Sequence, residues 1–233
     1  MLGLVMLHSV IVPARNASAF IEKAVNSLLN QTLALSEIII VSDSDDDCVE
    51  AVLRVMKHHK TIRLFKTSAH VGAYLAQNVG LHYASGDLIS FCGADDMWTP
   101  TRSAELSAVS DSWRSLANTF HVKIDERGNP ISKSSETLGG VFSYSRKMMV
   151  ELGGFKPWPC SADSDLYHRA VSIGGVRCIS KNHSYLYRQH PAQLTRMPDT
   201  ALSSDRRRAY ERLWGRGPTR IEPSITEHNE IKL

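Results

Sequence analysis

Two acidic clusters, Asp43 to Asp47 in DSDDD and Asp95-Asp96 in CGADDMWTP, each follow directly on an apolar run, EIIIVS and DLISF. Carboxylates are hard oxygen donors. A divalent ion such as Mg²⁺ or Mn²⁺ takes one or two of them and fills its remaining positions with phosphate oxygens and water. Adjacent acids can divide that task, one on the metal and one on a ribose or a second metal site. Asp43 comes first after its run and is best placed to meet a base or a ribose. Asp45, Asp46 and Asp47 stand where a helix begins, so capping and the helix dipole account for them. Another acidic pair, Asp163 and Asp165, falls in the first turn of a predicted helix in SADSDLYHRA. Helical residues advance about 100° each, so these two side chains diverge and only one faces a given site. Asp163 shares a side with Leu166 and Ala170, and Asp165 lies four residues before Arg169, the spacing of an exposed ion pair. Asp163 is therefore the one of the two that faces the body of the fold.

The elements that would position these acids alternate. SVIVPA (9–14) reads as a strand. Phe20, Ile21, Ala24, Val25, Leu28 and Leu29 then mark one face of a helix with Asn16 as its N-cap. EIIIVS (37–42) is a second strand, followed by a helix carrying Val49, Val52, Leu53 and Met56. TIRLFK (61–66) is a third strand, followed by a helix with Val71, Leu75, Val79 and Tyr83. DLISF (87–91) is a fourth. Continuous apolar strands alternating with helices predict a mostly parallel sheet with helices on both faces. Ligands of such sheets bind beyond the carboxyl ends of the strands, which puts Asp43 and Asp95-Asp96 on one rim.

Beyond residue 97 the alternation gives way to mixed pieces. The expectations there are a helix over 100–116, a hairpin over 120–132, a strand over 139–145, a helix over 161–173, and short strands near 176–179 and 184–188. The chain divides accordingly into a nucleotide-binding half (1–97), a half that covers it (98–200), and a C-terminal helix with a flexible tail (201–233).

Bulk properties narrow the classes. The 233 residues suit one domain, and 42% apolar and 22% charged residues are ordinary for a globular protein. A net charge of +3 gives no case for nucleic acid as a partner. Cys48, Cys92, Cys160 and Cys178 lack zinc-ligand spacing and fit a reducing, cytoplasmic setting. MLGLVMLHSVIVPAR reads as a disordered start plus a first strand rather than a signal peptide.

In order and spacing, the motifs from about residue 8 to 196 resemble family-2 glycosyltransferases of the GT-A fold. SVIVPARN, EIIIVSDSDDD, HVGAYLAQNVGLHYASGDLISFCGADD, LGGF, SADSDLYHRA and YRQHPAQLT carry the likeness. The resemblance implies an inverting hexosyl- or N-acetylhexosaminyl-transferase. It would move a sugar from a UDP-type donor to a hydroxyl of a glycan or lipid-linked acceptor in polysaccharide biosynthesis. It further implies Asp163 as base and Pro13, Arg15, Asn16, Asp43, Asn78, Asp95 and Arg188 as nucleotide-sugar contacts. Asp96 and His190 would hold Mg²⁺ or Mn²⁺. Trp98 and Trp158 could line the cleft. Three positions depart from the family pattern. Gly93 replaces the first Asp of Asp-x-Asp-Asp, Ala162 replaces the Glu of the acceptor-side Glu-Asp, and Gln77 stands where Arg is common. A binding-only relative is one alternative, and a receiver-like signalling domain is another. SSDRRRAYERLWGR, with Arg206-Arg207-Arg208, could lie against an anionic membrane at its inner face.

Overall fold

The computed structural model describes residues 6–232. Its first half runs β1 (His8–Ala14), α1 (Ile21–Leu29), β2 (Glu37–Ser42), α2 (Asp46–Met56), β3 (Ile62–Thr67), α3 (Ala73–Tyr83) and β4 (Leu88–Phe91). Strands β3, β2, β1 and β4 lie side by side and parallel. Alternation along these strands sorts the side chains between two faces. Val10, Val12, Ile38, Ile40 and Leu64 pack under α1 and α2, while Ile11, Ile39, Val41 and Phe65 pack under α3. The apolar runs are continuous because both faces are covered. Gly80 sets the approach of α3: a Cβ there would stand 2.5 Å from Ile11 Cγ2.

The second half runs β5 (Met97–Trp98), α4 (Arg102–Val109), β6 (Ser115–Ile124), β7 (Pro130–Ser134), β8 (Tyr144–Ser145), α5 (Arg146–Leu152), α6 (Ala162–Ser172), β9 (Val176–Arg188), α7 (Asp205–Glu211) and β10 (His228–Ile231). A smaller sheet has the order β5-β9-β6-β7, with β6 and β9 parallel. Strands β8 and β10 extend the main sheet antiparallel at its two edges, against β4 and β3. Helices α5 and α6 cover the same face as α3. The expected α/β architecture, a mostly parallel sheet with a smaller subregion beside it, is the one observed.

Several local expectations need correction. The helix expected over 100–116 stops at Val109. Ser112 and Ser115 then form a side-chain-bonded turn, with Ser115 Oγ donating to Asp111 Oδ1 at 2.8 Å. The strand expected over 139–145 is a single 3₁₀ turn, Gly139–Val141, followed by the two residues of β8. The short strands near 176–179 and 184–188 are one strand, β9, held along its length by β6. Helix α5 was not expected. Ser145 caps it, accepting from the Met148 amide, and Gly153 ends it at φ 75°. The C-terminal segment, expected to be poorly ordered, crosses back over the fold: the Ile221 amide bonds the Leu152 carbonyl, and β10 pairs with β3. The start of the chain, expected to be disordered, falls within residues 1–5, outside the described residues. Among the described residues no helix is long and apolar enough to cross a membrane.

Candidate active site

Parallel strands put their carboxyl ends on one rim, and the three central strands β1, β2 and β4 bring Arg15, Asp43 and the 93–96 turn to it. β1 lies between the other two, so it sits at the middle of the site. Arg15 Nη1 donates to the Asp43 carbonyl at 2.6 Å, and the Asp43 amide donates to the Ala14 carbonyl. Asn16 takes a left-handed φ of 51° and donates its amide to Asp45 Oδ2. Pro13 pairs in register with Val41 just behind this rim. Pro13, Arg15, Asn16 and Asp43 are therefore together, as expected. Asp45 caps α2 by accepting from the Cys48 amide at 3.1 Å, which is the plain structural role expected of it.

Asp43 is 2% exposed, and both of its carboxylate oxygens are engaged. Oδ1 accepts from the Val71 amide at 2.7 Å. Oδ2 accepts from the Gly72 amide at 2.9 Å and meets His70 Nδ1 at 2.7 Å. The carboxylate organises residues 67–72, the loop that leads into α3. Through this loop it borders the rim, and it does not project a free oxygen. Sequence spacing carried no sign of His70, Val71 or Gly72 in this role.

The adjacent acids Asp95 and Asp96 point differently. Asp96 is buried; Tyr185 donates to its Oδ2 at 2.6 Å and the Arg188 amide to its Oδ1 at 2.8 Å. Burial, and then the neighbouring Asp95 charge, push its carboxyl well above the usual carboxylate range. Asp95 stays partly exposed, and its Oδ2 lies 2.9 Å from His190 Nε2. Of the two residues expected to hold a metal, His190 meets Asp95, while the Asp96 carboxylate is turned into the core. Gly93 shapes the turn, since a Cβ there would lie 2.7 Å from both Asp95 Oδ1 and Asp96 Oδ2. A side chain at 93 would require the Asp95 or Asp96 carboxylate to shift.

The donor set offers a divalent ion one carboxylate and one imidazole. Among the described residues no three His, Cys, Asp or Glu side chains converge on one point. A diphosphate and water would have to supply the other ligands, the mode Mg²⁺ and Mn²⁺ favour in phosphate sites. The short separation of the two donor atoms suits neighbouring positions on one ion, so the residues fit the group.

Two expected contacts lie elsewhere. Arg188 is fully buried: Nε donates to the Asp95 carbonyl at 2.6 Å, and Nη1 to the Asp125 and Glu126 carbonyls at 3.0 and 2.7 Å. It fixes the 93–96 turn to the β6–β7 hairpin, and its Nη2 is buried without a hydrogen-bond partner among the described residues. The Asn78 carboxamide is occupied by the Phe155 backbone, accepting at 2.9 Å and donating at 2.8 Å, so it clamps LGGF to α3. Trp98 is a core residue with Arg102 stacked 5.0 Å from its ring. Trp158 packs on Tyr210, with ring centroids 4.8 Å apart.

Asp163 and Asp165 separate as their helical spacing requires. Asp165 is 0% exposed and ion-paired to Lys156 and Arg169, both at 2.8 Å. The pair with Arg169 is real, but it is buried rather than exposed. Asp163 faces the other way: its Oδ1 accepts from Tyr74 Oη at 2.7 Å. Tyr74 is two residues beyond Gly72, so Asp43 and Asp163 are attached to the same short piece of chain.

The family profile described as glycosyl transferase family 2 matches residues 9–170. The chain belongs to that family, which sets aside the receiver-like reading. An uncharacterized glycosyltransferase of Nostoc sp. is 25% identical over 215 residues, covering 80% of this chain and 66% of its own length. TuaG of Bacillus subtilis, a glycosyltransferase ascribed to teichuronic acid biosynthesis, is 30% identical over 129 residues, or 54% of this chain and 51% of its own. Among solved structures, S. aureus TarS in complex with UDP-GlcNAc superposes with a TM-score of 0.70 at 17% identity, covering 81% of this chain and 60% of that one. That likeness shows the GT-A-type fold. The chain spans about two thirds or less of the length of these curated relatives.

Proposed function

We propose that this chain transfers a hexosyl or N-acetylhexosaminyl group from a UDP-sugar to a hydroxyl of a glycan or lipid-linked acceptor, with inversion. One observation carries the reading. Asp43, the Asp95–His190 pair and Asp163 all border the carboxyl rim of the sheet, with Asp43 and Asp163 joined through residues 70–74. The complexes of TarS with UDP and UDP-GlcNAc, and the teichuronic acid biosynthesis to which TuaG is ascribed, support the donor and acceptor classes. A Mg²⁺ or Mn²⁺ ion held by Asp95 and His190 would neutralise the departing diphosphate. Asp163 takes the proton from the acceptor oxygen as that oxygen attacks the anomeric carbon, and the bond to the diphosphate breaks. No covalent intermediate on the chain is required.

The test is UDP release from a panel of UDP-sugars, with and without Mn²⁺. Wild-type turnover that needs Mn²⁺ and drops at least a hundredfold in Asp163→Asn is the expected result, the usual scale for loss of a general base. Full turnover in Asp163→Asn, or no binding of UDP with Mn²⁺ by the wild type, overturns the reading.

A membrane-facing acceptor is also part of this proposal. Leu194, Met197, Leu202 and Leu213 are exposed in the same segment as Arg196, Arg206, Arg208 and Arg212. Arg207 instead turns inward, donating to the Thr200 carbonyl at 2.9 Å and to Ser161 Oγ at 3.2 Å, next to α6. Apolar side chains among arginines suit an anionic lipid surface at the cytoplasmic face. Flotation with vesicles containing phosphatidylglycerol, but not with neutral vesicles, is expected. Equal recovery with both would remove this part.

A further inference from the structure

The carboxylate of Asp163 has two unlike oxygens. Oδ1 accepts the Tyr74 hydroxyl hydrogen at 2.7 Å. Oδ2 faces the turn at Gly139 and Gly140, where Cβ atoms would stand 3.2 and 3.3 Å from it. Neither glycine has a positive φ, so backbone conformation does not demand glycine at these positions. A methyl group on either would crowd Oδ2. Tyr74 is 9% exposed and sits against Phe155, ring centroids 5.5 Å apart, which holds its ring in one orientation. Its hydroxyl has Asp163 as its hydrogen-bond partner. Burial, and then the Asp163 charge, push that phenol well above its ordinary value, so it remains a proton donor.

The geometry points to Tyr74 as a positioning residue: it anchors Asp163 by Oδ1 so that Oδ2, left without a hydrogen-bond partner among the described residues, is the oxygen that receives the acceptor's proton. This rests on the reading of Asp163 as base and adds which oxygen acts and what holds it. The anchor also ties the base to the donor side. Tyr74 stands in the first turn of α3, and the Val71 and Gly72 amides just before it are bound by Asp43. Acceptor activation and nucleotide recognition are thereby indexed to the same five residues. A hydroxyl aimed at one oxygen restricts rotation of the carboxylate about its Cβ–Cγ bond. Such restriction matters because small misplacements of a reacting group cost on the order of a hundredfold in rate.

Three variants test this: Tyr74→Phe, Gly140→Ala and Asp163→Asn. The readouts are kcat and KM for UDP release from the UDP-sugar the wild type turns over, UDP affinity with Mn²⁺ by calorimetry, and the thermal midpoint. Tyr74→Phe keeps the ring and its packing. It is expected to lower kcat about tenfold to a hundredfold, with donor KM, UDP affinity and midpoint close to wild type. Gly140→Ala is expected to lower kcat in the same way by crowding Oδ2 and leaving Tyr74 in place. A Tyr74→Phe kcat within twofold of wild type, while Asp163→Asn is inactive, overturns the inference and leaves the base intact. Loss of UDP affinity in Tyr74→Phe matching its loss of turnover overturns it too, since that is the pattern of a merely structural tyrosine. Full turnover in Asp163→Asn removes the base and this inference together.

Discussion

Tyr185 donates its hydroxyl hydrogen to Asp96 Oδ2 at 2.6 Å and, with the Arg188 amide, draws that carboxyl away from the rim into the core. Neighbouring acids thus have separate tasks, with Asp95 open to a ligand and Asp96 holding β9 against the turn. Asp96→Ala leaves a buried hydroxyl and a buried amide without an acceptor, at about 1–3 kcal/mol each. Urea unfolding should show that loss. Asp95→Ala should change stability by no more than about 0.5 kcal/mol while weakening Mn²⁺-dependent UDP binding. Equal unfolding midpoints for the two variants would contradict the division.

Gly93→Asp restores the acid usual in the resembled motif, yet it should not improve activity. Its Cβ would meet two carboxylate oxygens at 2.7 Å, and its own charge would join Asp95 and Asp96. Like charges at this range repel, and the buried member is already pushed up. Lower stability and weaker UDP binding are expected from calorimetry. A gain in Mn²⁺ affinity would show that the turn relaxes around a third acid.

His8 predicts a pH dependence of folding. Burial, and then the Arg102 charge, hold its imidazole down to about 3 from 6.5, and its Nε2 bonds Ser90 Oγ at 2.7 Å. The folded chain keeps His8 neutral where the unfolded chain protonates it. Its contribution is therefore complete above pH 6.5 and declines as pH falls toward 3. Between pH 6.5 and about pH 5 the decline is on the order of 2 kcal/mol. The non-titrating His8→Gln should flatten this part of a urea-midpoint curve. Parallel curves for the two proteins would count against it.

The trio of partly buried Lys156 with buried Asp165 and Arg169 should be unforgiving. Arg169 Nη1 and Nη2 also donate to the Leu152 and Gly154 carbonyls at 2.8 and 2.6 Å. Asp165→Asn leaves two cations near an uncharged amide, a loss of about 3–5 kcal/mol. UDP affinity at temperatures where the variant is folded should be unchanged. A loss confined to UDP binding would instead place Asp165 in the site.

Much of this was legible in the sequence because alternation and apolar continuity are local signals. EIIIVS could be buried on both faces only in a covered parallel sheet, and that put Asp43 and Asp95 on one rim. The reach of Asp163 away from Asp165 followed from helical spacing. What escaped were long-range partners. Nothing near Asp96 in the chain announces Tyr185, and nothing near Asp163 announces Tyr74. Arg188 and Asn78 illustrate the converse. Their residue types suit phosphate and sugar, but their side chains are taken by backbone carbonyls and amides that only the folded chain brings near. The helix expected through residue 116 failed because serine hydroxyls at 112 and 115 compete with the helical hydrogen bonds. β9 exceeded its expected pieces because β6 supplies partners along its length.

Strands β10 and β8, laid down by distant parts of the chain, stand at the margins of the large sheet. β10 is four residues long, and Arg63 secures it by bonding Glu230 at 3.1 Å. β8 is only two residues long. The smaller sheet presents β7, which opens on Pro130 and carries Lys133. Brief, charged or proline-bearing borders are poor templates for lateral growth. At high concentration this molecule is thereby guarded against stacking strand upon strand into fibres, even though its interior strands are among the most aggregation-prone stretches it contains.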